Sequence, residues 1–241
     1  MKKVTGIGGV FFKSKDVAKL KEWYRNHLGF VVTEWGSTMP WIDPETKAFG
    51  QTAWSPFKET SDYFAPSTLP YMINYRVHDV HALVEQLQKD GVTIAGGPDD
   101  TDYGKFAWIM DPEGRKIELW EAVDEGLGDL PPAWNEKVID LNGISFKSDQ
   151  PDKMNEWYKK HLDVGSNTPP LKVFFIASND EKFFAETDKP YIYQYQVRDI
   201  HALLDQLKSA NITTSTITET KDGKFGWCID LEGNKVALWQ A

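Results

Sequence analysis

A carboxylate in the middle of an otherwise apolar strand is the feature of this sequence that most directly suggests chemistry. It is Glu118, in "DPEGRKIELW" (residues 111–120). Side chains alternate along a strand, so Lys116, Glu118 and Trp120 share one face and Ile117 and Leu119 the other. The apolar pair is expected to pack into the core. A glutamate on the opposite face can act as a general base if partial burial raises its pKa toward the working pH. It can also serve as a metal ligand or anchor a cationic group. The structural alternative is an ion pair, because an enclosed carboxylate is costly unless it has a partner. Arg76 is the expected partner. In "YMINYRV" (71–77), Met72, Asn74 and Arg76 share a face, and Ile73, Tyr75 and Val77 share the other.

The other chemically capable residues are sparse. Of five histidines, His27 and His161 fall at the ends of expected helices. His81 and His201 fall in first turns, and His78 precedes Asp79. Cys228 is the only cysteine, which excludes an internal disulfide and a cysteine-rich metal site. Aromatics are plentiful. Trp41 and Trp54 lie in "PWIDPETKAFGQTAWSPF" (40–57). They either wall a pocket or make a small core under a long loop. Trp23 and Trp157, on inner helix faces, read as core, as do Trp108 and Trp227. "GIGG" (6–9) lacks the strand-to-helix setting of a phosphate loop.

The elements that must position these residues are written twice. "GGVFFKSKDVAKLKEWYRNHL" (8–28) matches "NGISFKSDQPDKMNEWYKKHL" (142–162) at 10 of 21 positions. "YMINYRVHDVHALVEQL" (71–87) matches "YIYQYQVRDIHALLDQL" (191–207) at 9 of 17. "YGKFAWIMDPEGRKIELWEA" (103–122) matches "DGKFGWCIDLEGNKVALWQA" (222–241) at 11 of 20. Three blocks in one order mean an internal duplication. It divides the chain into a first module (1–122), a linker (123–137) rich in Gly, Pro and acids, and a second module (138–241).

Within a module the order is an apolar strand, a helix, strand-like aromatics, an alternating strand, a second helix and a closing hairpin. Val17, Leu20, Trp23, Tyr24 and Leu28 recur at helical spacing before Gly29. Asp79 and Asp199 are expected N-caps of the second helices. These helices stop near Gly91 and Asn211. In the second copy Arg76 becomes Gln196 and Glu118 becomes Ala237, so both charges vanish together. That fits a pair, since losing one partner alone would strand the other.

This order resembles the glyoxalase/bleomycin-resistance/dioxygenase superfamily, also called vicinal oxygen chelate. The likeness rests on "FFKSKD…WY…HLGF", on "NYRVHDVHALVEQL" and above all on the "DPEGRKIELWE" hairpin. It implies an α+β fold: two tandem βαβββ modules forming a cup-shaped mixed sheet with helices outside. It also implies a divalent metal held by His, Glu or Gln from three strands. By position those ligands fall on Gly9, Met72 and Glu118, and on Gly143, Ile192 and Ala237 in the second copy. Only Glu118 has a suitable side chain. The histidines lie on or beside helices, outside the cup. A ferrous dioxygenase needs two histidines and a carboxylate, and a zinc or nickel lyase needs several converging ligands.

The expectation is therefore a cup that binds a small, flat organic molecule without the usual metal. Its wall would comprise Trp41, Trp54, Asn74, Arg76, Glu118 and Trp120. The alternative is a glyoxalase-like lyase or isomerase, with Glu118 as catalytic base or as ligand to a divalent metal. A net charge of −9 argues against nucleic acid or an anionic membrane as partner. No apolar run reads as a signal or a span, so the cytoplasm is the expected location. The resemblance leaves a homodimer open.

Overall fold

The structure, a computed structural model, describes residues 3–42, 49–123, 137–165 and 172–241. The first module runs β1 (Val4–Ser14), α1 (Val17–Leu28), β2 (Ser37–Ile42), β3 (Phe49–Lys58), β4 (Tyr71–Val77), α2 (Val80–Lys89), β5 (Thr93–Thr101), β6 (Gly104–Met110) and β7 (Lys116–Glu121). The second runs β8 (Val138–Ser148), α3 (Pro151–Leu162), β9 (Lys172–Ala177), β10 (Tyr191–Val197), α4 (Ile200–Ser209), β11 (Thr218–Thr220), β12 (Gly223–Ile229) and β13 (Lys235–Gln240). All of the expected linker except Val123 and Lys137 lies outside the described residues.

The expected α+β duplication is present, with one mixed sheet per module. The first sheet is ordered β2-β3-β1-β4-β7-β6-β5, and the second β11-β12-β13-β10-β8-β9. At the centre of the first, β1 and β4 are antiparallel neighbours. Each has a parallel partner outside it, β3 for β1 and β7 for β4. The strand-helix-strand unit thus occurs twice within the module. Strand β5 was not legible as a strand, because "TIAGGPDDT" is built from residues depleted in sheets.

Helix ends follow their caps. Asp16 accepts from the Lys19 amide at 3.1 Å, and Gly29 closes α1 at φ 73°. Asp79 and Asp199 accept from Ala82 and Ala202 at 2.9 and 3.0 Å. Asn211 adopts the left-handed conformation, φ 59°, just beyond α4. No helix among the described residues is long and apolar enough to cross a membrane.

One apolar core serves both modules. Phe12 and Trp54 belong to it with Tyr191, Tyr193 and Tyr195. Phe12 lies 5.6 Å from Tyr193, and Tyr71 stacks on Phe146 at 5.1 Å. The repeated hairpins lock this seam. Glu113, in the β6–β7 turn, accepts from Ser148 Oγ and from the amides of Asp149 and Gln150 at 2.8–3.0 Å. Glu232, its equivalent, accepts from Ser14 Oγ and the Asp16 amide at 2.7 and 3.0 Å. Each carboxylate therefore caps the helix N-terminus of the other module, where negative charge is favoured. Behind Glu113, Asp111 accepts from Tyr158 of α3 at 3.0 Å and pairs with Arg115 at 3.1 Å. Behind Glu232, Asp230 accepts from Tyr24 of α1 at 3.1 Å. The motif that carries the resemblance is, in this chain, a docking device.

Candidate functional site

The face of the first sheet away from the core is the cup wall expected from the sequence. Two glycines on β1 and one on β3 make it. A Cβ on Gly6 would lie 2.4 Å from the Trp41 ring, and one on Gly8 would lie 2.7 Å from Trp120. A Cβ on Gly50 of β3 would come within 2.3 Å of Trp41. "GIGG" is thus a bed for indole rings. Trp41 is fixed there by donating from Nε1 to Thr52 Oγ1 at 3.1 Å.

Glu118 sits in the middle of this wall and is 2% exposed. Strand register places it beside Asn74 and opposite Trp108. Oε1 accepts from Asn74 Nδ2 at 2.6 Å. Oε2 accepts from Trp108 Nε1 at 2.7 Å and from the Tyr63 hydroxyl. Burial, and then the Glu118 charge, hold the Tyr63 phenol well above its ordinary pKa. Lys116 donates to the Tyr63 carbonyl at 2.8 Å and stands 5.3 Å from the centroids of both Tyr63 and Trp108. Burial lowers its pKa, and Glu118 partly offsets that.

Three expectations change. Glu118 is held by neutral donors rather than by Arg76, whose guanidinium lies one register step away, 5.8 Å from the centroid of Trp120. Trp54 is not in the cup: it is 0% exposed and packs on Tyr24, Phe30 and Phe12 at 4.5–5.4 Å. Its register partner Val10 is a core residue, so alternation sends Trp54 to the core side. Trp108 and its equivalent Trp227, both read as core, face their cups. Strand β6 is apolar on both faces, and sequence alone could not orient it. Trp41, Asn74, Arg76, Glu118 and Trp120 do share the wall. Tyr63 was missed because it reaches the site from a loop.

The second cup differs at these same positions. Ala237 replaces Glu118, Phe183 replaces Tyr63 and Gln194 replaces Asn74. Where the first module has its carboxylate network, the second has a cavity of about 630 Å³, lined by Phe183, Ile192, Gln194, Phe225, Trp227, Lys235 and Ala237 among others. Lys235 is neutralised by Glu186 at 2.7 Å and lies 5.2 Å from the Trp227 centroid. Polar groups instead occupy the first strand. Asp140 and Asn142 stand where the first module has Gly6 and Gly8.

Burial raises Asp140 to a pKa of about 7 from 3.8, and the Leu141 amide opposes this at 2.7 Å. Between those two values the unfolded chain ionises while the folded carboxyl keeps its proton. This group therefore lowers stability as pH rises from about 4 to 7. Asp140→Asn should gain stability over the parent across that window and hold a constant margin above it. Chemical unfolding at pH 4, 5.5 and 7.5 checks this. A margin independent of pH would contradict it.

The implied metal finds no set of donors. Among the described residues no three His, Cys, Asp or Glu side chains gather. Both oxygens of Glu118 already accept hydrogen bonds, one of them from an indole N–H that can only donate.

Residues 6–119 match the family model "Glyoxalase/Bleomycin resistance protein/Dioxygenase superfamily". No curated protein matches. Among solved structures, the chain is similar to the Mn(II)-bound glyoxalase from Novosphingobium aromaticivorans, with a TM-score of 0.69 and 15% identity over 100% of this chain and 83% of that one. It is similar to catechol 2,3-dioxygenase at a TM-score of 0.68 and 15% identity, covering 100% and 89%. A third likeness is to the 2,3-dioxygenase LapB from Pseudomonas sp. KL28, with a TM-score of 0.64 and 14% identity, covering 100% and 93%. At these identities the likeness is one of fold.

Proposed function

We propose that this chain, which belongs to the Glyoxalase/Bleomycin resistance protein/Dioxygenase superfamily through its first module and repeats that fold in its second, binds a small, flat organic molecule in a cup without a divalent metal. The observation that carries the reading is the second-module cavity of about 630 Å³, walled by Phe183, Phe225 and Trp227. Its volume lies in the range of small-ligand sites, and apolar walls with a few fixed polar groups are what such sites use. The first cup, with Trp41 laid on its glycines and Glu118 bound at both oxygens, serves as the braced half. The alternative, a lyase or isomerase using Glu118 as base or metal ligand, requires an oxygen of Glu118 to leave Asn74, Trp108 or Tyr63. The acidic charge and single cysteine support a cytoplasmic setting.

Binding of naphthalene-sized compounds, followed by calorimetry, tests the reading. Ala237→Phe, which fills the second cup, is expected to weaken binding at least about tenfold, the scale of one well-packed contact. Trp41→Ala should leave it unchanged. Loss in Trp41→Ala with retention in Ala237→Phe would transfer the site to the first module.

A further inference from the structure

Beside the cavity of the second cup lies a polar group with no hydrogen-bond partner among the described residues, the buried Nδ2 atom of Asn142. Strand register locates it. Gln194 faces Gly143 and Tyr195 faces Leu141, so Asn142 is the extra residue of a bulge in β8 beside Gln194. Gln194 lines the cavity. The first module confirms the direction of a side chain here: a Cβ on Gly8, the equivalent of Asn142, would lie 2.0 Å from Asn74 Oδ1, and Asn74 is the equivalent of Gln194. A buried donor left unpaired costs free energy and is retained where something else satisfies it.

Charge narrows the class of ligand. Lys235 is already matched by Glu186 at 2.7 Å. The other charged residues of the lining, Asp180 and Lys182, are opposite in sign, so the wall offers no net charge to an ion.

We propose that the second cup recognises a neutral planar molecule bearing a carbonyl, whose oxygen accepts from Asn142 Nδ2 while the Gln194 amide meets the polar group beside it and the ring system lies against Phe225 and Trp227. This rests on the cup-binding reading and names its ligand class.

Three probes with one ring system separate the two claims: 2-methylnaphthalene, 2-naphthamide and 2-naphthoate, titrated into the full chain by calorimetry. The parent is expected to bind 2-naphthamide about tenfold more tightly than 2-methylnaphthalene, the scale of one neutral hydrogen bond, and more tightly than 2-naphthoate. Asn142→Leu should bring 2-naphthamide to parity with 2-methylnaphthalene without changing the latter. Gln194→Leu should narrow the same gap, and it serves as the second variant if Asn142→Leu folds poorly. Equal affinities in the parent, or a preference for 2-naphthoate, overturn the carbonyl assignment. If 2-methylnaphthalene still binds and Ala237→Phe abolishes it, the cup reading survives that failure. If no probe binds, both claims fall.

Discussion

Replacing Arg115 with methionine is expected to lower the melting temperature by roughly 6–20 °C, the result of losing about 3–5 kcal/mol. Arg115 is 4% exposed and ties the seam together. It pairs with Asp111 at 3.1 Å and with Glu113 at 2.7 Å. Its Nε donates to Tyr71 at 2.9 Å, and Nη2 donates to the Lys147 carbonyl in the other module. Its guanidinium also stands over Phe146 and Phe175, 5.5 and 5.3 Å from their centroids. Methionine keeps much of the packing but leaves Asp111, side chain 0% exposed, without a cation. That uncompensated charge is the largest part of the cost. The double variant Asp111→Asn/Arg115→Met should lose less than the single. The second module meets the same problem differently: it keeps the aspartate, and Asn234, in place of the arginine, donates to Asp230 at 2.7 Å. Calorimetric melting of the parent and the two variants decides it. A double variant no more stable than the single would mean that packing, not charge, holds the seam.

Glu118→Ala is expected to destabilise by about 2 kcal/mol, or roughly 4–8 °C. Removing the carboxylate strands the Asn74 amide and the Trp108 N–H, both bonded to it now at 2.6 and 2.7 Å. Each buried orphan costs about 1–3 kcal/mol, and relief of the buried charge returns part of that. The second module shows how the fold dispenses with the carboxylate, by changing its neighbours too. Glu118→Ala combined with Tyr63→Phe and Asn74→Gln copies Ala237, Phe183 and Gln194. The triple variant should therefore be more stable than the sum of its single changes predicts. Urea unfolding of the set checks this, and strict additivity would break the account of Glu118 as one hydrogen-bonded unit.

The duplication was legible because both copies keep the same turns, caps and apolar spacing. Asp79, Asp199 and Gly29 act locally, and local signals survive in sequence. Orientation within the cups was harder to read. Trp41 and Trp54 look alike in "PWIDPETKAFGQTAWSPF", and only pairing with β1 sends one to the cup and the other to the core. Trp108 was obscured by a strand apolar on both faces. The second cup was passed over because Ala237 carries no chemistry. What marks it is an absence of bulk on one strand together with Asp140 and Asn142 on another. The bulge at Asn142 also breaks the alternation that would have assigned their face.

The claim that the working site is the second cup is tested most directly by fluorine NMR of chain labelled with 5-fluorotryptophan, titrated with 2-naphthamide and assigned by single Trp→Phe variants. Trp227 lines the cavity, and Trp239 lies across from Phe225 in the same wall. The resonances of Trp227 and Trp239 are predicted to shift while those of Trp41, Trp108 and Trp120 stay in place. Shifts confined to Trp41, Trp108 and Trp120 would contradict the account and return the site to the carboxylate of the first module.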